Sequence, residues 1–461
     1  MMNKKRLALA LSVPLLSAQM AFASGSVENV ESRIDALEAQ IAELKAMLAA
    51  TKSQTDANAK TLQTTQVQAS ETATGLETAV ATLESMKGKI SNTDFDYGGF
   101  IQLDSITTTY QEGKPGNRLI DDFLVASLIP VSAPGAQTDS YTNTNIHNKT
   151  SRVFFKTKTP TDAGTVSSHI EMDFMLSGAG DERISNSWNP RLRHAFVKWD
   201  YEPGKSVLAG QTWSTFFNVG ALPGVLDFVG PVGTLFNRQP MIRWTNGNYQ
   251  FALENPATRL NSLTGTRLDD AEAMPDIVVR YNGGDASHSY SLAGVMRTLQ
   301  YEDRSTLALE GENDKAMGYG LSLAGKVVTE GKNNLKYMLN YGSALGRYLG
   351  LNAFNDGYLN IQGDIETIDQ TALTLAYEHY WNPEWRSVFS ASVASADNPS
   401  VADYAAAGGL AKQYQSFHAN LQYLPAPGLM LGGELLFASK ELEDGRDGDM
   451  NRLQLSVKYA F

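Results

Sequence analysis

From residue 152 onward the chain carries a series of basic residues: Arg152 and Lys156, Arg243, Arg280, Arg297, Lys326, Lys336, Arg386, Arg452 and Lys458. Each stands on the opposite side of a two-residue alternation from an apolar stripe. A guanidinium can hold a carboxylate through two parallel hydrogen bonds, so a row of such groups attracts small organic anions weakly and repeatedly. Acids are interspersed at Glu171, Asp173, Glu254, Asp276, Glu378 and Glu434. The competing role for any one cation is therefore an ion pair with a neighbouring strand.

Other chemistries find no foothold. His147, His169, His194, His288, His379 and His418 form no close cluster and no metal-ligand spacing. No Gly-x-Ser-x-Gly elbow is present, and the acidic run from Glu441 to Asp449 lacks the spacing of a calcium-binding loop. The sequence predicts no enzyme, no metal and no cofactor.

The elements that must carry the basic row are strands. In Asn451–Phe461, Leu453, Leu455, Val457, Tyr459 and Phe461 alternate with Arg452, Gln454, Ser456 and Lys458. That is the length and two-faced pattern of a transmembrane strand ending in an aromatic girdle. About sixteen such strands follow from the period-two pattern, beginning at Tyr97–Thr109, Arg152–Thr159 and Val166–Met175 and ending at Leu429–Ala438 and Arg452–Phe461.

Short connections carry turn chemistry at Pro160–Gly164, Glu202–Gly204, Asn246-Gly247, Asn282–Gly284, Asn382-Pro383 and Pro425–Gly428. Long connections alternate with them, as a barrel requires. The strand at Arg191–Tyr201 fits either parity, so Arg191 and Arg193 are not assigned to a face. Aromatics near strand ends, among them Tyr337, Tyr341, Tyr377, Trp381 and Tyr423, weigh against a soluble all-β fold.

Ahead of the strands, Lys4, Lys5 and Arg6 precede the apolar run Leu7–Leu16 and the small-residue site Ala21-Phe22-Ala23, the pattern of a secretory signal peptide over residues 1–23. Residues 24–93 follow a heptad. Val27, Val30, Ile34, Leu37, Ile41, Leu44 and Leu48, then Leu62, Ala69, Leu76, Ala79, Leu83, Met86 and Ile90, recur at steps of three and four, predicting a left-handed coiled coil. Thr51, Thr55, Asn58, Thr65 and Thr72 interrupt the seam. A lone amphipathic helix or a polar linker is the alternative for that middle part.

The barrel is assigned to residues 94–461. Losing the three positive charges of the signal takes the formal net charge from -12 to -15, which disfavours nucleic acid as a partner. With no cysteine, the chain is not a disulfide scaffold.

One connection differs from the rest. Trp213–Pro240 is rich in Gly, Pro and apolar residues, with Asp227 and Arg238 its only charges. A loop this apolar belongs away from water, so Trp213, Asp227, Phe228 and Phe236 are expected in a constriction loop folded into the barrel. Packing at a subunit contact is the alternative.

Gly210-Gln211-Thr212-Trp213-Ser214-Thr215-Phe216, then Leu226-Asp227-Phe228, Gly230-Pro231, Arg238–Arg243, Ala252–Pro256 and Pro275–Arg280, resemble the DcaP-like porins of Gram-negative bacteria. The order of signal, coiled coil and barrel is similar too. The resemblance implies a homotrimeric outer-membrane channel of sixteen strands per subunit for small anionic organic acids, typically dicarboxylates. It places Arg238, Arg243 and Arg280 near the narrow part of the pore.

The expected protein is thus an all-β transmembrane antiparallel barrel preceded by a helical coiled coil, set in outer-membrane lipid with the coil in the periplasm. Arg152, Lys156, Arg238, Arg243, Arg280, Arg297, Lys326, Arg386 and Arg452 are its expected pore lining. Alternative functions are a general or sugar porin, or a tether that reaches the cell wall through the coil.

Overall fold

A computed structural model describes residues 27–89, 92–176, 185–262, 267–270, 274–301 and 314–461. The signal segment 1–23 lies outside the described residues. The chain divides into two compact units, residues 1–91 and 92–461.

The first unit contains one helix, α1 (Val27–Lys89), of 63 residues. At 1.5 Å per residue it extends about 95 Å. Ile34, Leu37, Ile41, Leu44 and Leu48 are all exposed along it. A row of aliphatic residues at coiled-coil spacing is thus exposed along the helix.

The second unit is built from strands. In chain order these are β1 (Asp94–Tyr110), β2 (Tyr141–His147), β3 (Arg152–Thr161), β4 (Gly164–Asp173), β5 (Arg191–Glu202), β6 (Lys205–Trp213) and β7 (Arg238–Asn246). They continue as β8 (Tyr249–Glu254), β9 (Thr258–Asn261), β10 (Arg267–Asp270), β11 (Asp276–Gly284), β12 (His288–Tyr301), β13 (Asp314–Val328) and β14 (Asn334–Ser343). The last are β15 (Gly357–Leu359), β16 (Ile365–Thr367), β17 (Asp369–Tyr380), β18 (Trp385–Asp397), β19 (Ala411–Ala426), β20 (Leu429–Leu442) and β21 (Asp447–Ala460).

Sixteen of these pair antiparallel, each with the next, and β21 returns to pair with β1, closing a barrel. Every strand expected from the sequence is one of the sixteen. Closure leaves no open edge, the condition for a sheet to cross a membrane. At the seam, Gly99 and Phe461 exchange backbone hydrogen bonds of 3.0 and 3.1 Å. A Cβ at Gly99 would lie 2.1 Å from the Arg152 carbonyl oxygen, so only glycine allows β1 and β3 this close.

The two faces separate cleanly. On β21, Leu453, Leu455 and Val457 are 44–53% exposed on the outside, whereas Arg452, Gln454 and Ser456 are 2–3% exposed inside. Strands extend past the expected spans at the long-loop end, where β2 pairs with the upper half of β1. There β10, β9, β15 and β16 form a separate four-stranded sheet. These strands and β2 were not expected: β9, β10, β15 and β16 have only three or four residues and carry little periodicity, β2 lies within the long connection after β1, and β9 pairs parallel with a strand nearly a hundred residues away.

The parity of β5 resolves through a bulge. Glu171 opposes His194 while Met172 opposes Leu192, leaving Arg193 as the extra residue. Leu192 and Val197 both point outward although they are five positions apart, which strict alternation would place on opposite faces, and Arg193 and His194 are both buried inside. No uniform alternation fits, which is why neither parity could be chosen.

Candidate functional site

The segment between β6 and β7, residues 214–237, is held by the inward-facing wall through its backbone. Thr215 N–H donates to Glu254 on β8 at 2.7 Å and Gly224 N–H to Glu378 on β17 at 2.8 Å. Leu226 N–H donates to Glu434 on β20 at 2.6 Å, Val232 N–H to Ser416 on β19 at 3.2 Å, and Gly233 N–H to Ser392 on β18 at 2.9 Å.

Bases take the carbonyls. Arg243 Nη2 reaches Trp213 O at 2.6 Å, Arg280 Nη1 reaches Phe217 O at 2.8 Å, and Lys336 Nζ reaches Leu222 O at 2.8 Å. The wall thus supplies hydrogen-bond partners that a water-excluded loop lacks. The loop's own side chains, including Phe216, Phe217, Val229, Val232, Leu235 and Phe236, are free to form an apolar core.

Many inward charges are consequently anchors. Asp227, 5% exposed, accepts from Leu124 N–H at 2.8 Å and from Val229 and Gly230 N–H at 3.0 Å each. Arg452 joins it at 3.2 Å, and donates to Thr108 Oγ1 and Ile120 O. Arg297 is 1% exposed and pairs with Asp356 at 2.7 Å and with Asp276 at 3.7 Å. Tyr348 donates to Asp276 at 2.6 Å. Burial, reinforced by Asp276 and Glu254, pushes the Tyr348 phenol well above its usual range and keeps it a neutral donor.

Arg297 and Arg452 therefore depart from the pore-lining role expected of them. Both point inward, as the alternation requires, but loop residues cover them. Asp227 lies in this loop, and its oxygens are taken by backbone N–H groups and Arg452.

A different set gathers on β3, β4, β5 and β7. Glu171 contacts Arg193 at 2.7 Å, Arg152 at 3.4 Å, and His194 and His169 at 3.7 and 3.8 Å. Asp173 contacts Arg191 and Arg193 at 2.9 Å each. Arg238 lies 4.4 Å over the Trp213 ring and has no ion-pair or hydrogen-bond partner among the described residues; its Nη1 is a buried, unsatisfied donor. Arg191 and Arg193 stand 5.7 and 5.6 Å over Phe228. Trp213 and Phe228 each contact Phe236, with ring centroids 4.9 and 6.1 Å apart.

Among the described residues, four guanidinium groups thus face two carboxylates, an excess of two positive charges. The aromatic rings stiffen the arrangement and stabilise the cations through their negative faces.

Of the expected residues, Arg152 and Arg238 belong to this cluster. Lys156 lies below it, 4.1 Å over Phe154 and 3.6 Å from Asp96. Arg243 and Arg280 face inward as loop anchors, and Arg386 is held on Gln422 nearer the short-turn end. Lys326 faces inward with no ion pair among the described residues. Sequence reading missed Arg191 and Arg193 as site members. The odd separation of Leu192 and Val197, both apolar in an otherwise alternating strand, was the available sign of a bulge.

A closed sixteen-stranded antiparallel barrel with apolar exterior and charged interior is an outer-membrane porin fold. The family model for the DcaP outer membrane protein matches residues 52–461, and the chain belongs to that family. The outer membrane channel DcaP of Acinetobacter baumannii superimposes with a TM-score of 0.64 at 23% identity, over 80% of this chain and 98% of that one. An anion-selective porin from Comamonas acidovorans matches with a TM-score of 0.50 at 11% identity, over 80% of this chain and 100% of that one. A comparison with curated proteins finds no match.

Proposed function

We propose that this porin is a diffusion channel for small anionic organic solutes, dicarboxylates typically, working as a homotrimer whose helices coil together in the periplasm. The observation that carries the reading is the cluster Arg152, Arg191, Arg193 and Arg238, which among the described residues faces the two carboxylates Glu171 and Asp173, beside Trp213 and Phe228. Unpaired positive charge favours anions, while the shared carboxylates keep any one contact weak enough to release its solute. Loop 214–237, pinned to the inner wall, narrows the lumen at this level.

The test is the reversal potential of the purified protein in a planar bilayer under a salt gradient, repeated with succinate on one side. Anion selectivity with succinate-dependent block or permeation supports the reading. Cation selectivity indifferent to succinate keeps the porin and discards the anion preference.

Arg243 and Arg280 act on this site through the loop. Changing both to Ser is expected to release the carbonyls of Trp213 and Phe217 and raise open-channel current noise several-fold at nearly unchanged ion selectivity; quiet single-channel records from the double variant contradict that role.

The exposed aliphatic row of α1 supports a second role as a tether between the outer membrane and the cell wall. Removing Val27–Lys89 is expected to leave solute flux intact if tethering is the helix's purpose, with the loss read as altered envelope spacing by electron microscopy. Lost flux with normal spacing argues against the tether.

A further inference from the structure

The porin holds a second group of cations, apart from the arginine cluster and nearer the short-turn end. Arg386, Gln422, Gly432, Ser456 and Asp104 lie in one cross-strand row over β18, β19, β20, β21 and β1. Lys458 is one inward step further toward the short-turn end, within electrostatic reach of Arg386, Arg152 and Asp104.

Neither Arg386 nor Lys458 forms an ion pair among the described residues; what holds them is neutral. Arg386 donates from Nε and Nη2 to the single oxygen Gln422 Oε1, at 2.9 and 2.7 Å. Lys458 Nζ lies 3.8 Å over the Phe100 ring, with Arg152 5.1 Å from the same ring. Asp104 does not neutralise them directly, because its oxygens are taken by Thr150 and Ser456 hydroxyls at 2.6 Å each and by the amides of Gln102 and Gln454.

The position is set by the loop. Gln422 Nε2 donates to Gly224 O at 2.7 Å, so one amide ties the loop to the Arg386 guanidinium. Gly432 leaves the wall bare between Arg386 and Lys458, and Leu226 of the loop sits over it, where a Cβ would meet Leu226 Cδ1 at 2.9 Å.

We propose that Arg386 and Lys458 form a second anion station on the short-turn side of loop 214–237, which takes the carboxylate of a solute leaving the arginine cluster. This rests on the anion-channel reading above. Two cations brought together on neutral supports are stabilised by an anion between them, and two stations in series let one solute be displaced by the next. Phe100, touched by both Arg152 and Lys458, is the link between the stations.

The test uses the full chain in planar bilayers with succinate as the probe. The chain has no cysteine, so a biotin on Asp162→Cys, in the β3–β4 turn, assigns orientation by streptavidin block. In the double variant Arg386→Gln, Lys458→Gln, block by succinate added at the short-turn side is expected to weaken about tenfold, with block from the long-loop side changed less than twofold. Gln422→Leu, which keeps both charges but frees Arg386, is expected to fall between.

Unchanged short-turn block in the double variant, or equal loss from both sides, overturns the second station while leaving the channel reading intact. Absence of anion selectivity in the unsubstituted protein overturns both. Heat-modifiable migration on gels checks that each variant is a folded barrel.

Discussion

Arg297→Met is expected to lower the barrel's unfolding free energy by about 3–5 kcal/mol, the cost of leaving buried charge uncompensated. Arg297, Asp276 and Asp356 have fully buried side chains. The guanidinium also donates to Ala344 O and Ala257 O, joining two long loops to β12. Removing it leaves two carboxylates and two carbonyls in a water-excluded space. Urea unfolding in detergent micelles, followed by tryptophan fluorescence, measures the loss. Adding Asp356→Asn to the variant is expected to recover at least about half of it, because the worst remaining charge is removed. No recovery contradicts this account of the site.

Arg238→Gln is expected to do the opposite: change selectivity and spare stability. Arg238 has no carboxylate partner among the described residues, so its removal strands no acid. The excess among the described residues of the cluster falls from two charges to one. Anion-over-cation permeability is expected to drop about threefold or more, with unfolding free energy moving by no more than about 0.5 kcal/mol. Arg193→Met is the contrasting case. It leaves Glu171 and Asp173 underpaired at 2.7 and 2.9 Å contacts, and is expected to destabilise by about 3 kcal/mol. Equal selectivity loss in both variants, with equal stability, contradicts the division between pore charge and structural charge.

The barrel was readable because alternation is a local signal that each strand states for itself. Lipid outside and polar contacts inside impose period two on residues such as Leu453–Val457 whatever lies across the barrel. Inward direction was likewise readable for Arg152, Arg243, Arg280, Arg297, Lys326, Arg386 and Arg452.

What alternation cannot state is whether an inward group meets water or a folded loop. Arg152 and Arg452 read alike in the sequence, yet one joins an arginine cluster and the other is sealed under Ile120 and Asp227. That difference is fixed by contacts more than two hundred residues apart. The apolar composition of Trp213–Pro240 did announce a loop sheltered from water. Its anchors were invisible, because they bind backbone groups, which every sequence possesses. Arg191 and Arg193 were lost to a single bulge.

Because loop 214–237 is fastened by its peptide groups, its path is insulated from most changes in its own residues. Apart from Asp227 and the Gly and Pro positions, side chains there can be exchanged while the wall continues to hold the same trace. Substitutions on the wall behave differently, since one lost carboxylate such as Glu434 releases Leu226 and Asp227 together. In the channel proposed above, new permeability is therefore reached with least disturbance of the fold by redecorating the loop, and with most by altering the staves that grip it.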